Sequence, residues 1–516
     1  MTRQAIQLDD HALASLTLAH LESVVRVDSA SDERSDTIPS TRGQARLGEQ
    51  LKRFFIELGA TVEIDRCANV IATLPGRGAL IDATPLALMV HLDTARGTRA
   101  VESLSIARAW DGHPIRFSAN ERLVVGVETY PDLQRFVGHD VIFGPGDAAV
   151  GFDDKLGLAQ MMTLALALTD DPTISHRPLV LIARPDEEIG RHAALDGIAE
   201  VLVRRGVTVG YTLDGIDPYE INVDNFYASH ASITFAARRL EDVGDVVRVA
   251  LGGVNAHGAT ARAEGHRAAT RFAAELTTFL EAHPDTCVTP IGFASDAARD
   301  CDAALWLSIE APGGRSAIET GLERVVSPHV IRGASWSVED DPDPPAPDAA
   351  TGDMLAFVGA FLASSPGFVL LAEESDGRLG YSHPYRALPT DAGLVLDIRI
   401  RDFDPGLLEE REAHVTRLAA DRPCEMQRQY VNMGPALAGR DELVDWPLAA
   451  GAAVGVASEV RPIRGGTGVD PLLEAGVYVA NLGTGYFAPE SEKELTTLQL
   501  MAGHVRWLGA LVQSGD

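Results

Sequence analysis

Between about residues 9 and 215, short apolar runs alternate with stretches whose apolar residues recur every three or four positions. HALASLTLAHLESVVRV (11–27) and ARLGEQLKRFFIELGA (45–60) carry the helical spacing, which gathers the apolar side chains along one face of each helix. LALMVH (86–91), LVLIAR (179–184) and YTLD (211–214) are brief and mostly apolar until their last residue, as strands buried on both faces of a parallel sheet are. The alternation predicts an α/β fold: a mixed, mostly parallel sheet flanked by helices. Ligands of such sheets sit outside the carboxyl ends of the strands, so the polar residues closing those three runs are the ones to read for chemistry.

Beyond residue 230 the pattern changes. ASITFAARR (231–239) and GLVLDIRIRDF (393–403) alternate like half-exposed strands, and each is followed by a helical run, at 264–283 and 405–422. This predicts a second, smaller α+β domain. Between its halves, at about 284–376, lies a stretch read as irregular, containing EDDPDPPAPDAA (339–350) as a solvated proline and acid linker. After about residue 435 the α/β texture returns and closes in the helical run LTTLQLMAGHVRWLGALVQ (495–513). The expected organisation is one domain of 1–228 and 435–516, interrupted by an inserted domain at 229–434 that the 284–376 segment enlarges.

A chain of 516 residues with 46% apolar and 23% charged positions exceeds what one core usually serves. Lys and Arg total 44 against 74 Asp and Glu, a formal charge of −30, which argues against a phosphate-tracking surface and so against nucleic acid as a partner. No run reaches the ~18 apolar residues that span a bilayer, so no membrane partner is expected. The first thirty residues do not read as a secretory signal. The four cysteines, Cys67, Cys287, Cys301 and Cys424, are widely separated and form no CxxC pair, so no disulfide framework is expected. The expected setting is the cytoplasm.

Four clusters close or follow the predicted strands. His91 and Asp93 in HLDT fall on one side of an extended segment, where the carboxylate can orient the imidazole through its second ring hydrogen. Asp153 and Asp154 stand at a helix start, where capping would explain them, but one of only three lysines, Lys155, follows. Asp186, Glu187 and Glu188 would repel one another at a buried strand end unless a cation or proton compensates. Asp214 closes YTLD and, taken singly, is a turn aspartate. Together, carboxylates and an imidazole on strand ends could converge on two divalent ions ~3.5 to 4 Å apart.

With these motifs in hand the chain resembles the peptidase T (tripeptide aminopeptidase)-like members of the two-metal peptidases and amidohydrolases, a group that includes carboxypeptidase G and succinyl-diaminopimelate desuccinylase. The resemblance runs through IPSTRGQ (38–44), HLDT (91–94), GFDDKLG (151–157), PDEEIG (185–190), YTLDG (211–215), DNF (224–226), AHGATA (256–261), IRDFD (400–404), RPIRGGT (461–467) and TGY with the trailing KEL (484–495). It implies a catalytic domain and an inserted lid and dimerisation domain. It implies that His91 and Asp214 bind one ion, that Asp153 bridges both, that Glu188 binds the second, and that the Asp153–Asp154 peptide is cis. Asp93 would orient His91. Glu187 would be the general base that deprotonates the attacking water and returns the proton to the departing amine. His257 would reach a partner subunit's site to stabilise the oxyanion, Arg401 would hold a substrate carboxylate, and Gly465, Gly466 and Thr467 would contact substrate through their backbone.

Three departures bear on substrate and metal. Aligning the C-terminal motif on Glu494-Leu495 puts Glu490 where relatives carry a histidine ligand. A second ion held by Asp153, Glu188 and Glu490 alone has only oxygen ligands, which moves preference from zinc toward manganese or magnesium. Gly468 stands where peptidase T has Asp, and Gly258-Ala259 replace a Pro-Gly. The leading expectation is a homodimeric, cytoplasmic, metal-dependent hydrolase with two divalent ions, zinc or manganese, cleaving an amide bond in a small peptide or N-acyl amino acid. Two alternatives stand beside it: a hydrolase of a non-peptide carbon–nitrogen bond, such as an aminohydrolase of aryl amines, and an inactive scaffold or assembly protein.

Overall fold

Six of the residues that end or follow apolar runs are brought to one edge of a sheet by parallel strand pairing. In the computed structural model, which describes residues 6–514 apart from 192, 242, 256, 299–300 and 365–370, an eight-stranded sheet runs in the order Thr61–Ile64, Val70–Leu74, Leu179–Arg184, Leu86–His91, Val209–Gly215, Tyr478–Gly483, Glu220–Asn222 and Glu459–Val460. Its centre is parallel: Leu86–His91 pairs in parallel with both Leu179–Arg184 and Val209–Gly215, and the latter with Tyr478–Gly483. Val70–Leu74 and Thr61–Ile64 add antiparallel strands at one side. This is the mixed, mostly parallel α/β sheet the sequence predicts.

The central strands are buried along their whole length, so Leu86, Leu88, Leu179 and Leu181 each contribute about 1.5–3 kcal/mol of burial. The helix Asp10–Val25 starts where Asp9 accepts the Ala12 N–H at 2.8 Å, a side-chain cap for an otherwise unmet donor. It packs with Phe152–Asp170 and Leu498–Leu511, and Phe152–Asp170 lies against Leu86–His91 and Val209–Gly215. A smaller four-stranded sheet orders Tyr486–Phe487, Leu495–Thr497, Val141–Phe143 and Ser105–Ala107.

The chain divides into two units, residues 1–120, 125–225 and 431–516 in the first and residues 121–124 and 226–430 in the second. The second unit contains two four-stranded sheets. One orders Tyr381–Thr390, Gly393–Asp402, Tyr227–Ala236 and Cys424–Tyr430, and the other Val288–Ala298, Cys301–Ile309, Asp245–Gly252 and Ser335–Asp340. Helix Ala350–Ala363 packs against both, in a core that includes Phe272, Leu305, Phe361 and Leu396. The stretch read as irregular at 284–376 is therefore corrected. It holds three of the strands of the second sheet and the helices Gly314–Val325 and Ala350–Ala363. The proline and acid run is only the connection from Ser335–Asp340 to Ala350–Ala363. Within AHGATA, Ala256 lies outside the described residues.

Candidate metal centre

His91 closes its strand opposite Arg184, and the register Met89 to Thr212 on the other side, continued by two residues, brings His91 level with Asp214. Its Nε2 lies 3.0 Å from Asp153 Oδ1 and 3.4 Å from Asp214 Oδ1. Its Nδ1 lies 2.9 Å from the Asp93 carbonyl oxygen, against 3.6 Å from the Asp93 carboxylate. A carbonyl only accepts, so Nδ1 carries a ring proton, and Nε2 is the nitrogen turned to the Asp153 and Asp214 carboxylates. The expectation that the Asp93 carboxylate takes this proton is thus refined: the backbone of Asp93 orients the ring. The carboxylate instead accepts the N–H groups of Glu187 and Glu188, at 2.9 and 3.1 Å.

Asp153 and Asp154 enter the site because helix Phe152–Asp170 begins irregularly. Gly151 has φ +86, and a Cβ there would come within 2.6 Å of the Thr94 side chain, so only glycine fits the left-handed turn. The Asp153–Asp154 peptide is cis. Glu494 Oε2 accepts the N–H groups of Val150, Gly151 and Phe152, at 2.8, 2.7 and 3.2 Å, and so holds the turn from the C-terminal segment. Asp154 is buried, and its Oδ2 accepts the His91 N–H at 3.1 Å.

The three adjacent acids of PDEE have three different surroundings. Asp186 is buried in donors: Ser40 N–H at 2.8 Å, Ser40 Oγ at 2.5 Å and Gln44 Nε2 at 2.8 Å. Neutral donors of the IPSTRGQ segment satisfy it, so the expectation of one compensating charge for the whole triplet does not extend to this residue. Glu187 Oε1 receives Arg184 Nη2 at 3.1 Å. Glu188 Oε1 is buried without a hydrogen-bond partner.

Two groups of side chains bring their ligand atoms within 4.8 Å of one another: His91, Asp154 and Asp214, and His91, Asp153 and Glu188. Burial and the neighbouring Asp214 push the Asp154 carboxyl well above the carboxylate range, and burial together with Glu490 and Asp153 does the same to Glu188. Burial also raises Glu187, opposed by Arg184 and His91. Burial alone would lower His91, but Asp214, Asp153 and Asp93 outweigh it and hold it well above the usual imidazole value. So many acids in low dielectric call for positive charge. With an orphaned Glu188 oxygen among them and the Nε2 of His91 turned to the same carboxylates, the donor set fits divalent cations.

The remaining predicted residues are placed as follows. Glu490, at φ +57, donates its N–H to Glu494 Oε1 at 2.9 Å, and its charge acts on Glu188. Thr467 is buried, and its carbonyl accepts Arg184 Nη2 at 3.0 Å. Gly465 and Gly466 are half-buried beside it in the chain. His257 and Arg401 belong to the second unit. His257 Nδ1 accepts the Ala259 N–H at 3.2 Å, which leaves Nε2 as the donor. Arg401 is buried, with Nη1 on the Ser229 and Ile400 carbonyls and Nη2 on Gln429 Oε1 at 3.0 Å. Sequence reasoning placed Asp154 in a carboxylate cluster but gave it no ligand role, and gave no role to Glu494 or Arg184. The signal for Arg184 was present, a charge closing a buried strand.

No family model matches the chain. Peptidase T of Bacillus cereus is 31% identical over 258 residues, 50% of this chain and 58% of that protein. Peptidase T of a Geobacillus species is 33% identical over 218 residues, 42% of this chain and 52% of that protein. The chain thus spans about half the length of the curated relatives it matches. Among solved structures, an aminopeptidase PepT from Bacillus cereus matches with a TM-score of 0.52 at 16% identity, covering 97% of this chain and 98% of that one. A tripeptidase from Staphylococcus aureus matches at 0.50 and 14% identity, covering 97% and 98%. Human carnosine dipeptidase 1 matches at 0.51 and 11%, covering 98% and 96%. Across half its length this chain is similar in sequence to peptidase T, and across nearly all of it similar in fold to an aminopeptidase PepT.

Proposed function

We propose that the protein is a two-metal amidohydrolase of the aminopeptidase type, cleaving an amide bond in a small peptide or N-acyl amino acid. The observation that carries this reading is the convergence of His91, Asp153, Asp154, Glu188 and Asp214, with a further carboxylate, Glu187, beside them. His91, Asp153 and Asp214 would hold one divalent ion, and Asp153, Glu188 and Glu490 the other. Asp154 is a further candidate, by its place in the first group. The all-oxygen second set favours manganese over zinc there. When bound, such ions lower the pKa of water and polarise the scissile carbonyl.

The chain's own residues supply the rest. Glu187 takes the proton of the attacking water and returns it to the leaving amine. Asp93 fixes the Glu187–Glu188 turn and, through its carbonyl, the His91 ring. The backbone of Gly465, Gly466 and Thr467 lines up the substrate, and Arg401 takes a substrate carboxylate. In a homodimer His257 of one subunit serves the other's oxyanion through its Nε2 donor. The cytoplasm is the setting this reading assigns.

The test is elemental analysis combined with a panel of dipeptides, tripeptides and N-acyl amino acids, run on the wild type and on Glu187→Gln. The variant should keep its metal and lose about 10³-fold or more in turnover. Equal turnover would remove Glu187 as the base, and absence of both metal and amide cleavage in the wild type would remove the whole reading.

A further inference from the structure

Arg184 is a guanidinium set among acids, and nothing in the proposed chemistry uses it. Its side chain is 3% exposed. It closes the strand beside His91, and its backbone carbonyl accepts the Leu92 N–H at 2.7 Å, so its origin is fixed by the same ladder that fixes His91. One nitrogen, Nη2, meets two acceptors: Glu187 Oε1 at 3.1 Å and the Thr467 carbonyl at 3.0 Å.

The space for this arrangement is made by Gly468. Its φ is +57, and a Cβ built there would lie 3.2 Å from Arg184 Nη2, 3.5 Å from Nη1 and 3.6 Å from Glu187 Oε1. Any side chain at 468 would adopt a left-handed backbone at a cost and crowd the guanidinium. The glycine after GGT and the arginine at the strand end thus form one packed unit. Its two hydrogens on Nη2 join three segments: the strand Leu179–Arg184, the turn carrying Glu187 and the 465–468 loop.

We infer that Arg184 is a positioning residue that fixes Glu187 relative to the 465–468 loop, with Gly468 as the residue that admits it. The inference rests on the hydrolase reading above. Glutamate has three rotatable bonds, and a free Glu187 would sample several rotamers. A charge-assisted bond to one oxygen restricts them and leaves the other oxygen for the water. A planar fork fits two acceptors in fixed directions, whereas a lysine ammonium is a flexible point charge. Because the same nitrogen holds the Thr467 carbonyl, the loop that contacts substrate and the base that serves it are set at one distance from each other. Misplacing a base by about an ångström costs on the order of 10²-fold in rate.

The experiment compares wild type, Arg184→Ala, Gly468→Ala and the double variant on the best-cleaved peptide, with metal content measured in each. Arg184→Ala should lower kcat about 30- to 100-fold, change KM by less than about threefold, and keep its metal. Added guanidinium ion should restore part of the lost rate. Gly468→Ala, which keeps the arginine but crowds its guanidinium, should lower kcat as well, and the double variant should be no worse than Arg184→Ala. In metal-free protein, amide exchange at Thr467 and Gly468 should rise in Arg184→Ala, a readout independent of turnover. An unchanged kcat, or a loss confined to KM, in Arg184→Ala beside an active wild type overturns the inference and leaves the hydrolase reading standing. If the wild type cleaves no amide, that reading fails, and unchanged exchange at 467–468 then removes the link through Arg184 too. If Arg184→Ala does not fold, Gly468→Ala decides, and wild-type kcat in it overturns the inference.

Discussion

Asp93 Oδ1 accepts the backbone N–H of Glu187 at 2.9 Å. Its second oxygen accepts that of Glu188 at 3.1 Å, so one buried carboxylate braces both the proposed base and a proposed ligand from behind. Replacing one oxygen by an NH₂ group sets a donor against a donor. Asp93→Asn should therefore weaken metal binding or lower kcat by about 10- to 100-fold while the protein stays folded. Chelator competition and steady-state kinetics check this, and a variant equal to wild type in both would assign the bracing elsewhere.

Metal uptake should displace protons. Burial and like charge hold the Asp154 and Glu188 carboxyls well above the ordinary range near about 4, so the metal-free site keeps protons that a cation must expel. The sign follows: affinity rises with pH beyond the point at which exposed carboxylates have finished titrating. Calorimetry in buffers of different ionisation enthalpy measures the released protons. A pH-independent affinity with no release would contradict the picture of a crowded acidic cage.

Away from the site, Glu220 is buried, and burial together with Asp217 raises its carboxyl from 4.5 to about 8. A group whose folded pKa exceeds the unfolded one contributes stability that is complete below the unfolded value and is lost as pH rises through the folded value. Wild-type stability should therefore decline between about pH 4.5 and 8 on account of this residue, by on the order of a few kcal/mol. Glu220→Gln, neutral throughout, should lack that part of the slope and exceed wild type in Tm above pH 8. Parallel Tm profiles for the two proteins would show that Glu220 is not the group responsible.

In the second unit Arg411 Nε meets Asp402 Oδ2 at 2.7 Å, with side chains 3% and 1% exposed. Arg411→Met would leave a buried carboxylate without its cation, which costs about 3–5 kcal/mol. Denaturant unfolding followed by a probe in that unit should register the loss, and a change below about 1 kcal/mol would mean that Asp402 finds another donor.

The residues His91 and Asp214 were legible because each closes an apolar run that gives away the strand and its direction, and Asp153 because it follows Gly151 at the start of an apolar helical run. Glu188 was legible by the same logic, but its neighbour Asp186 was not. Whether an acid faces a cation or a bed of hydrogen bonds is decided by Ser40 and Gln44, 146 and 142 residues away, and no local pattern carries that. Arg184 was left without a role because what it faces depends on its register with His91 and on the Thr467 loop, far along the chain. The strands Tyr227–Ala236 and Gly393–Asp402 were visible by their alternation and pair with each other. The strands at 288–298 and 301–309 were not seen, because the proline and acid run at 339–350 set the reading for a segment it occupies only in part.

The strand Tyr478–Gly483 sits between Val209–Gly215 and Glu220–Asn222 in the large sheet. More than 250 residues of chain separate it from the first of these neighbours, and residues 226–430 of the second unit fall within that interval. On the ribosome, the half-made sheet would stand with an open slot at its middle until those last strands emerged. The carboxylates of the early segments would by then be synthesised but not yet caged, so tight uptake of the proposed ions would follow the emergence of those strands.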